Sequence, residues 1–178
     1  MLILDAHLRA SLAIIRSLGK KNIHVTAGSE IKSAMGLYSK YCHKKIRLSN
    51  PRKYPKIFLE ELLAIVEKNH YDCLFPTQTY TTFLLSKYKE IFSQATTIPL
   101  PDFETFSTVY DKKNLFTIAS QQGISCPKTY FSTTIDEIID DIIYPVVVKA
   151  SRRHGVGIQI CTSSTDLCKK YAVLHNYF

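Results

Sequence analysis

Two lysines and a glycine-bearing turn are the residues of this sequence best suited to chemistry. Lys112 opens a helical stretch behind Asp111, and Lys149 ends a β-branched run that starts at Val146. Directly after it comes Ala150-Ser151-Arg152-Arg153-His154-Gly155-Val156-Gly157. Two ammonium groups can neutralise a phosphate chain from different sides, and a hairpin whose backbone N–H groups are freed by Gly155 and Gly157 can fold over it. Each part alone has a plainer explanation, since a lysine at a helix start is usually solvated and two glycines usually just make a turn. Their close succession between Asp111 and Ile160 is what carries weight.

Other chemistries lack their framework. No GxGxxG follows the first apolar run, where Asp5-Ala6-His7-Leu8-Arg9 stands instead, and no GxxxxGK[ST] occurs anywhere, which disfavours dinucleotide and Walker-type binding. There is no GxSxG elbow and no HExxH helix, so hydrolase chemistry has no support. The five cysteines (Cys42, Cys73, Cys126, Cys161, Cys168) are widely spread, with no CxxC and no metal-ligand spacing to the histidines. Neither a disulfide framework nor a zinc site is expected, and no metal ligand is assigned. The cysteine usage points to a reducing compartment. With no apolar run of membrane-spanning length and no signal-peptide core, a cytoplasmic protein without membrane contact is expected.

The elements that must position these residues follow from composition and periodicity. With 178 residues, 46% hydrophobic and 21% charged, the chain is globular and has room for one domain plus a small second unit. Met1 to Leu4 reads as a strand buried on both faces, followed by Leu8, Leu12, Ile15 and Leu18 at helical spacing up to Gly19, the expected helix stop. His24 to Ala27 and Lys45 to Leu48 read as second and third strands, the third edge-like. After Asn50-Pro51, the stretch Ile57 to Val66 carries a wide apolar stripe. Cys73 to Phe75 is the next strand, Leu84, Leu85, Tyr88 and Phe92 mark one helix, and Thr97 to Leu100 adds a last short strand. Short strands alternating with helices indicate βαβ units, hence a doubly wound α/β domain with a parallel sheet over residues 1–107. Ligands of such sheets bind beyond the carboxyl ends of the strands. The loops placed there hold Asp5 and Arg9, Gly28 to Glu30, and Thr77 with Gln78; Pro76 to Thr79 either lines a substrate crevice or only caps the next helix.

Pro99 and Pro101 mark a boundary, and residues 108–178 follow a different pattern. Asp111 caps a helix that Gly123 stops. Thr134 and Glu137 form a capping box for a short acidic helix, Tyr144-Pro145 breaks it, and Val146 to Lys149 with Ile158 to Thr162 makes a hairpin whose tip is cationic.

The net charge of +8 is concentrated at the start: residues 1–60 hold 12 basic and 3 acidic side chains, and Lys40 to Lys56 contains no carboxylate. Such a run attracts phosphates or a nucleic-acid backbone, but no RNA-recognition signature or cysteine-histidine finger accompanies it, so a solvated surface is the favoured reading and nucleic acid is disfavoured.

On these segments the sequence resembles the ATP-grasp ligases, in particular the carbamoyl-phosphate-synthase-like and carboxylate-amine ligase branch. Leu4-Asp5, Ala13 to Gly19 and Asp72-Cys73-Leu74-Phe75-Pro76-Thr77 resemble the pre-ATP-grasp domain. Asp111 to Leu115 through Gly123 to Thr129 is similar to the linker helix and strand, and Tyr144 to Ser151 to the first nucleotide-lysine strand. The resemblance implies that Lys112 and Lys149 contact ATP phosphates and that Ser151, His154, Gly155 and Gly157 belong to a hairpin closing over them. Ala150 stands where the family commonly has Pro, and Arg152-Arg153-His154 replaces glycines at the tip. It further implies ligation of a small carboxylate to an amine through an acyl phosphate, with ATP and Mg2+ as cofactors. The magnesium ligands are expected in a C-terminal half beyond Phe178, so the chain is read as an N-terminal portion, inactive alone. The partner is then a second copy of the chain or a polypeptide carrying the missing half, with Tyr171, Leu174, Tyr177 and Phe178 as apolar surface. The alternative from another class is a non-catalytic doubly wound module whose basic first third engages an acidic partner or nucleic acid.

Overall fold

Leu2 and Leu4 face one side of the first strand and Ile3 the other, and all three are buried, so this strand needs apolar cover on both faces. A computed structural model describes residues 1–131, 134–149 and 158–175 of the chain. In it β1 (Leu2–Ile3), β2 (Thr26–Ser29), β3 (Lys44–Arg47) and β4 (Leu74–Phe75) form a parallel sheet in the order β3-β2-β1-β4. Leu2 is opposite Thr26 on one side and Leu74 on the other, and Gly28 is opposite Ile46. Ile3, Ala27 and Val25 pack with Ile15 of α1 (Arg9–Gly19) and with Ala34 and Leu37 around a 3₁₀ turn (Met35–Tyr38). On the opposite face Leu2, Leu4, Ile46 and Leu48 pack against Phe58, Leu62 and Val66 of α2 (Pro55–Asn69). Leu84 and Leu85 of α3 (Thr79–Lys87) and Phe92 of α4 (Lys89–Ser93) complete that layer. Helices on both faces of a parallel sheet make this the doubly wound α/β architecture. The edge strand β3 exposes Lys44, Lys45 and Arg47 around a buried Ile46, a charge pattern that opposes pairing with further strands.

Several elements differ from expectation. Gly19 ends α1 as expected, but not by a left-handed turn. It is the last helical residue, buried, and Tyr41 occupies the space beside it: a Cβ there would lie 2.4 Å from the Tyr41 Cβ. The left-handed conformation falls instead on Asn22 (φ 60°). Gly19→Ala is therefore expected to lower stability by about 1–3 kcal/mol through overpacking, measurable by urea denaturation; an unchanged midpoint would mean Tyr41 moves aside at no cost. β2 begins at Thr26 rather than His24, because His24 is exposed and stacks on His43, ring centroids 4.3 Å apart, while the Thr26 N–H bonds the Met1 carbonyl at 2.9 Å. The helix expected through Tyr88 is two, since the Tyr88 N–H turns back to the Leu84 and Ser86 carbonyls and α4 restarts at Lys89. Thr97 makes only a single parallel bridge to Cys73, the flanking Pro99 and Pro101 being poor strand residues.

The chain divides into two compact units, Met1–Phe106 and Ser107–Phe178. The junction runs through α5 (Phe103–Tyr110). In the second unit Asp111 caps α6 (Lys112–Gln121), its carboxylate accepting the Lys113 N–H at 2.9 Å, and Gly123 (φ 70°) follows its end. The short acidic helix is absent: Ile135 to Ile138 forms turns and Ile139–Asp141 a 3₁₀ turn, because β-branched isoleucines and three aspartates over so few residues favour helix poorly. The Tyr144–Pro145 peptide is cis. β5 (Val146–Val148) pairs antiparallel with β6 (Gln159–Cys161), Val147 opposite Ile160. Buried Cys161 of β6 and Leu167 of α7 (Ser164–His175) supply the core of this layer.

Candidate functional site

At the carboxyl end of the sheet the focus is Asp5, which is 6% exposed and holds a left-handed backbone (φ 54°). Its Oδ2 accepts the Thr77 N–H at 2.9 Å, the Gln78 N–H at 2.8 Å and the Thr81 hydroxyl at 2.7 Å. Thr77 and Gln78 follow β4 and precede α3, so one carboxylate satisfies the N–H groups that a helix start leaves over and ties β1 to the β4 loop. Beside it the buried Ser11 Oγ lies 2.6 Å from the Asp5 carbonyl oxygen and 2.6 Å from Thr77 Oγ1. Of the four substrate-side candidates, the structure thus brings Asp5, Thr77 and Gln78 into one network and leaves Arg9 exposed at the start of α1. Asp5 Oδ2 and the Thr77 hydroxyl are spent on the fold itself; among the described residues the Gln78 side-chain amide has no hydrogen-bond partner.

In the second unit the two lysines meet. Lys149, just past β5, places its Nζ 5.6 Å from the centroid of the Phe116 ring. Phe116 lies one turn along α6 from Lys112, and its ring meets Phe131 edge-on with centroids 6.1 Å apart. Burial holds the Lys112 ammonium below the ordinary lysine range, the nearby Lys149 charge adds to that, and Asp111 opposes it. Lys149 thus lies over an aromatic ring and close enough to Lys112 for its charge to disfavour the Lys112 ammonium, an arrangement in which an anion between them relieves a repulsion already present. Phe116 and Phe131 were not singled out in the sequence; the spacing of four from Lys112 to Phe116 on one helix face is the signal that points to the first. Ser151, His154, Gly155 and Gly157 lie outside the described residues.

The described residues contain no grouping of three or more His, Cys, Asp or Glu that could hold a metal, and no helix of the structure is long and apolar enough to cross a membrane. The cysteines are all free thiols, Cys161 buried and Cys73 half-buried.

This α/β arrangement, a parallel sheet with helices on both faces followed by a helix and an antiparallel strand pair, is shared with solved structures of ligases and carboxylases. L-amino acid ligase from Bacillus licheniformis superposes with a TM-score of 0.72 at 15% identity, over 97% of this chain and 41% of its own. Biotin carboxylase from Campylobacter jejuni, solved as a β-γ-ATP complex, gives 0.68 at 17% identity over 97% and 40%. The biotin carboxylase domain dimer of Hydrogenobacter thermophilus 2-oxoglutarate carboxylase, solved with MgADP, ADP and bicarbonate, gives 0.64 at 18% identity over 98% and 40%. The chain thus spans about two fifths of the length of these structures. No family model and no curated protein sequence matches it.

Proposed function

We propose that this chain contributes the N-terminal part of an ATP-dependent ligase that joins a small carboxylate to an amine, and that Lys112 and Lys149 hold the nucleotide phosphates. The observation that carries the reading is the meeting of these two ammonium groups beside Phe116, with the Lys112 charge already disfavoured by its surroundings. Their placement on a helix start and a strand end makes them fixed rather than floppy cations, suited to a charge that shifts between phosphoryl oxygens. Ser151, His154, Gly155 and Gly157 complete the phosphate contacts from the connection between β5 and β6. Bound ATP supplies the phosphoryl group that activates the carboxylate as an acyl phosphate. Magnesium would accompany the nucleotide, as in the MgADP complex of the Hydrogenobacter enzyme domain; no residue of this chain is assigned to it. The 178-residue stretch alone is proposed to bind nucleotide without turnover, in a reducing, cytoplasmic setting that suits its free thiols.

The test is a titration of the lysine ammonium groups by NMR with and without ATP. Because burial and Lys149 depress the Lys112 pKa, a polyanion seated between the two must move it upward, toward the ordinary lysine value of about 10.4. An unmoved Lys112 in the presence of saturating ATP would refute the phosphate assignment.

A further inference from the structure

A separate crevice of about 590 Å³, built wholly from the first unit, opens beyond the ends of β2 and β3. That volume suits a small metabolite. Ser29 and Arg47 are registered partners at the ends of these strands, and Glu30, the residue after Ser29, lines the same crevice as Arg47. Lys53, Ile31 and Tyr54 complete the walls. The rim is held in place. Both Glu61 carboxylate oxygens are used on Ser49, accepting its N–H at 2.7 Å and its hydroxyl at 2.9 Å. The Asn50 Oδ1 accepts the N–H groups of Arg52 and Lys53, each at 2.9 Å, which fixes the turn that carries Lys53. Among the described residues, by contrast, the side chains of Arg47, Lys53 and Glu30 have no ion-pair partner.

The crevice therefore offers two cations without an ion-pair partner, the Glu30 carboxylate as the acidic group whose oxygens are open to a ligand, and an apolar wall of Ile31 and Tyr54; Glu61 keeps its charge, but both its oxygens are occupied by Ser49. The complement of that pattern is a ligand with two anionic groups and one ammonium. We propose that this crevice binds an acidic α-amino acid, its carboxylates toward Arg47 and Lys53 and its ammonium toward Glu30. Arg presents a planar fork matched to carboxylate, and Lys a point charge. A nucleotide fits less well, because Glu30 repels phosphate and no glycine-rich turn follows β1. The proposal is independent of the nucleotide reading, since it uses no residue of the second unit.

Calorimetric titration with L-glutamate and L-aspartate, in the absence of nucleotide, tests it. Glutarate, which is glutamate without its amine, and inorganic phosphate serve as plain anions. One of the two amino acids is expected to bind saturably and at least about 5-fold more tightly than either plain anion. Arg47→Gln is expected to weaken it at least about 10-fold, and Glu30→Gln to weaken the amino acid while leaving glutarate unchanged or tighter. Both positions are at the surface, and circular dichroism checks that the variants stay folded. Lys149→Met is expected to leave this binding intact. No saturable heat up to about 10 mM amino acid, equal affinity for glutarate, an unaffected Arg47→Gln variant, or loss of binding in Lys149→Met would each overturn the proposal.

Discussion

Asp5→Ala is expected to lower the stability of the first unit by about 3–5 kcal/mol, because it leaves two backbone N–H groups without their acceptor near the end of the sheet and the Thr81 hydroxyl with the Gln78 carbonyl alone. Alanine also tolerates the left-handed backbone at this position poorly, whereas asparagine adopts it readily. Since all three donors converge on one oxygen, Asp5→Asn keeps an acceptor at the same point and loses only the charge, so its cost is expected to be about 1 kcal/mol. Asp5→Gly separates the two causes: it removes the backbone strain but not the missing acceptor, and should resemble alanine more than asparagine. Urea denaturation of the three variants decides the matter. If alanine and asparagine are equally mild, the carboxylate is not what joins β1 to the loop after β4.

The second large effect concerns the paired lysines. Lys149→Met is expected to reduce nucleotide affinity at least about 10-fold, with Lys112→Met giving a loss of similar size, because each removes one charge-assisted contact to phosphate. Methionine retains the apolar stem that lies on Phe116, so folding should be little changed. The double variant should lose no more than the sum of the two in free energy. Removal of one cation also relieves its neighbour, so Lys149→Met alone should raise the Lys112 pKa even without nucleotide. That shift is a signature a merely structural lysine would not give. Fluorescence titration with a labelled nucleotide and lysine NMR read the two effects independently. Undiminished nucleotide binding in both single variants is the result that removes these residues from the site.

How much of this was open to reading in the sequence depended on separation along the chain. The Asp111 cap and Gly123 beyond the helix are set by residues within a few positions of one another, and the β5–β6 pairing joins strands that follow one another directly in the chain, so the residue types alone indicated them. The alternating β and α pattern likewise gave the doubly wound class. Asp5 was visible only as a residue in a loop, because its partners lie 72 to 76 positions away and no periodicity reports such a distance. Gly19 was legible as the helix end, but the reason it must lack a side chain was not, because that comes from Tyr41, a tertiary contact. The crevice beside β3 escaped attention because the run from Lys40 to Lys56 looked like a uniformly solvated cationic surface. Which of its charges lack partners is fixed by Glu61 being spent on Ser49, and that pairing spans the loop and α2.

The position of β1 has a consequence for how the molecule is made. Of the four strands of the sheet it is synthesised before the others, yet it lies in the interior with β2 on one side and β4 on the other. A nascent chain that has not reached Leu74 can pair at most one flank of that strand, and its Asp5 carboxylate has none of its donors. Vectorial synthesis therefore cannot consolidate this unit piecemeal; the apolar residues of β1 must wait, exposed or chaperoned, until β4 and the loop after it have emerged.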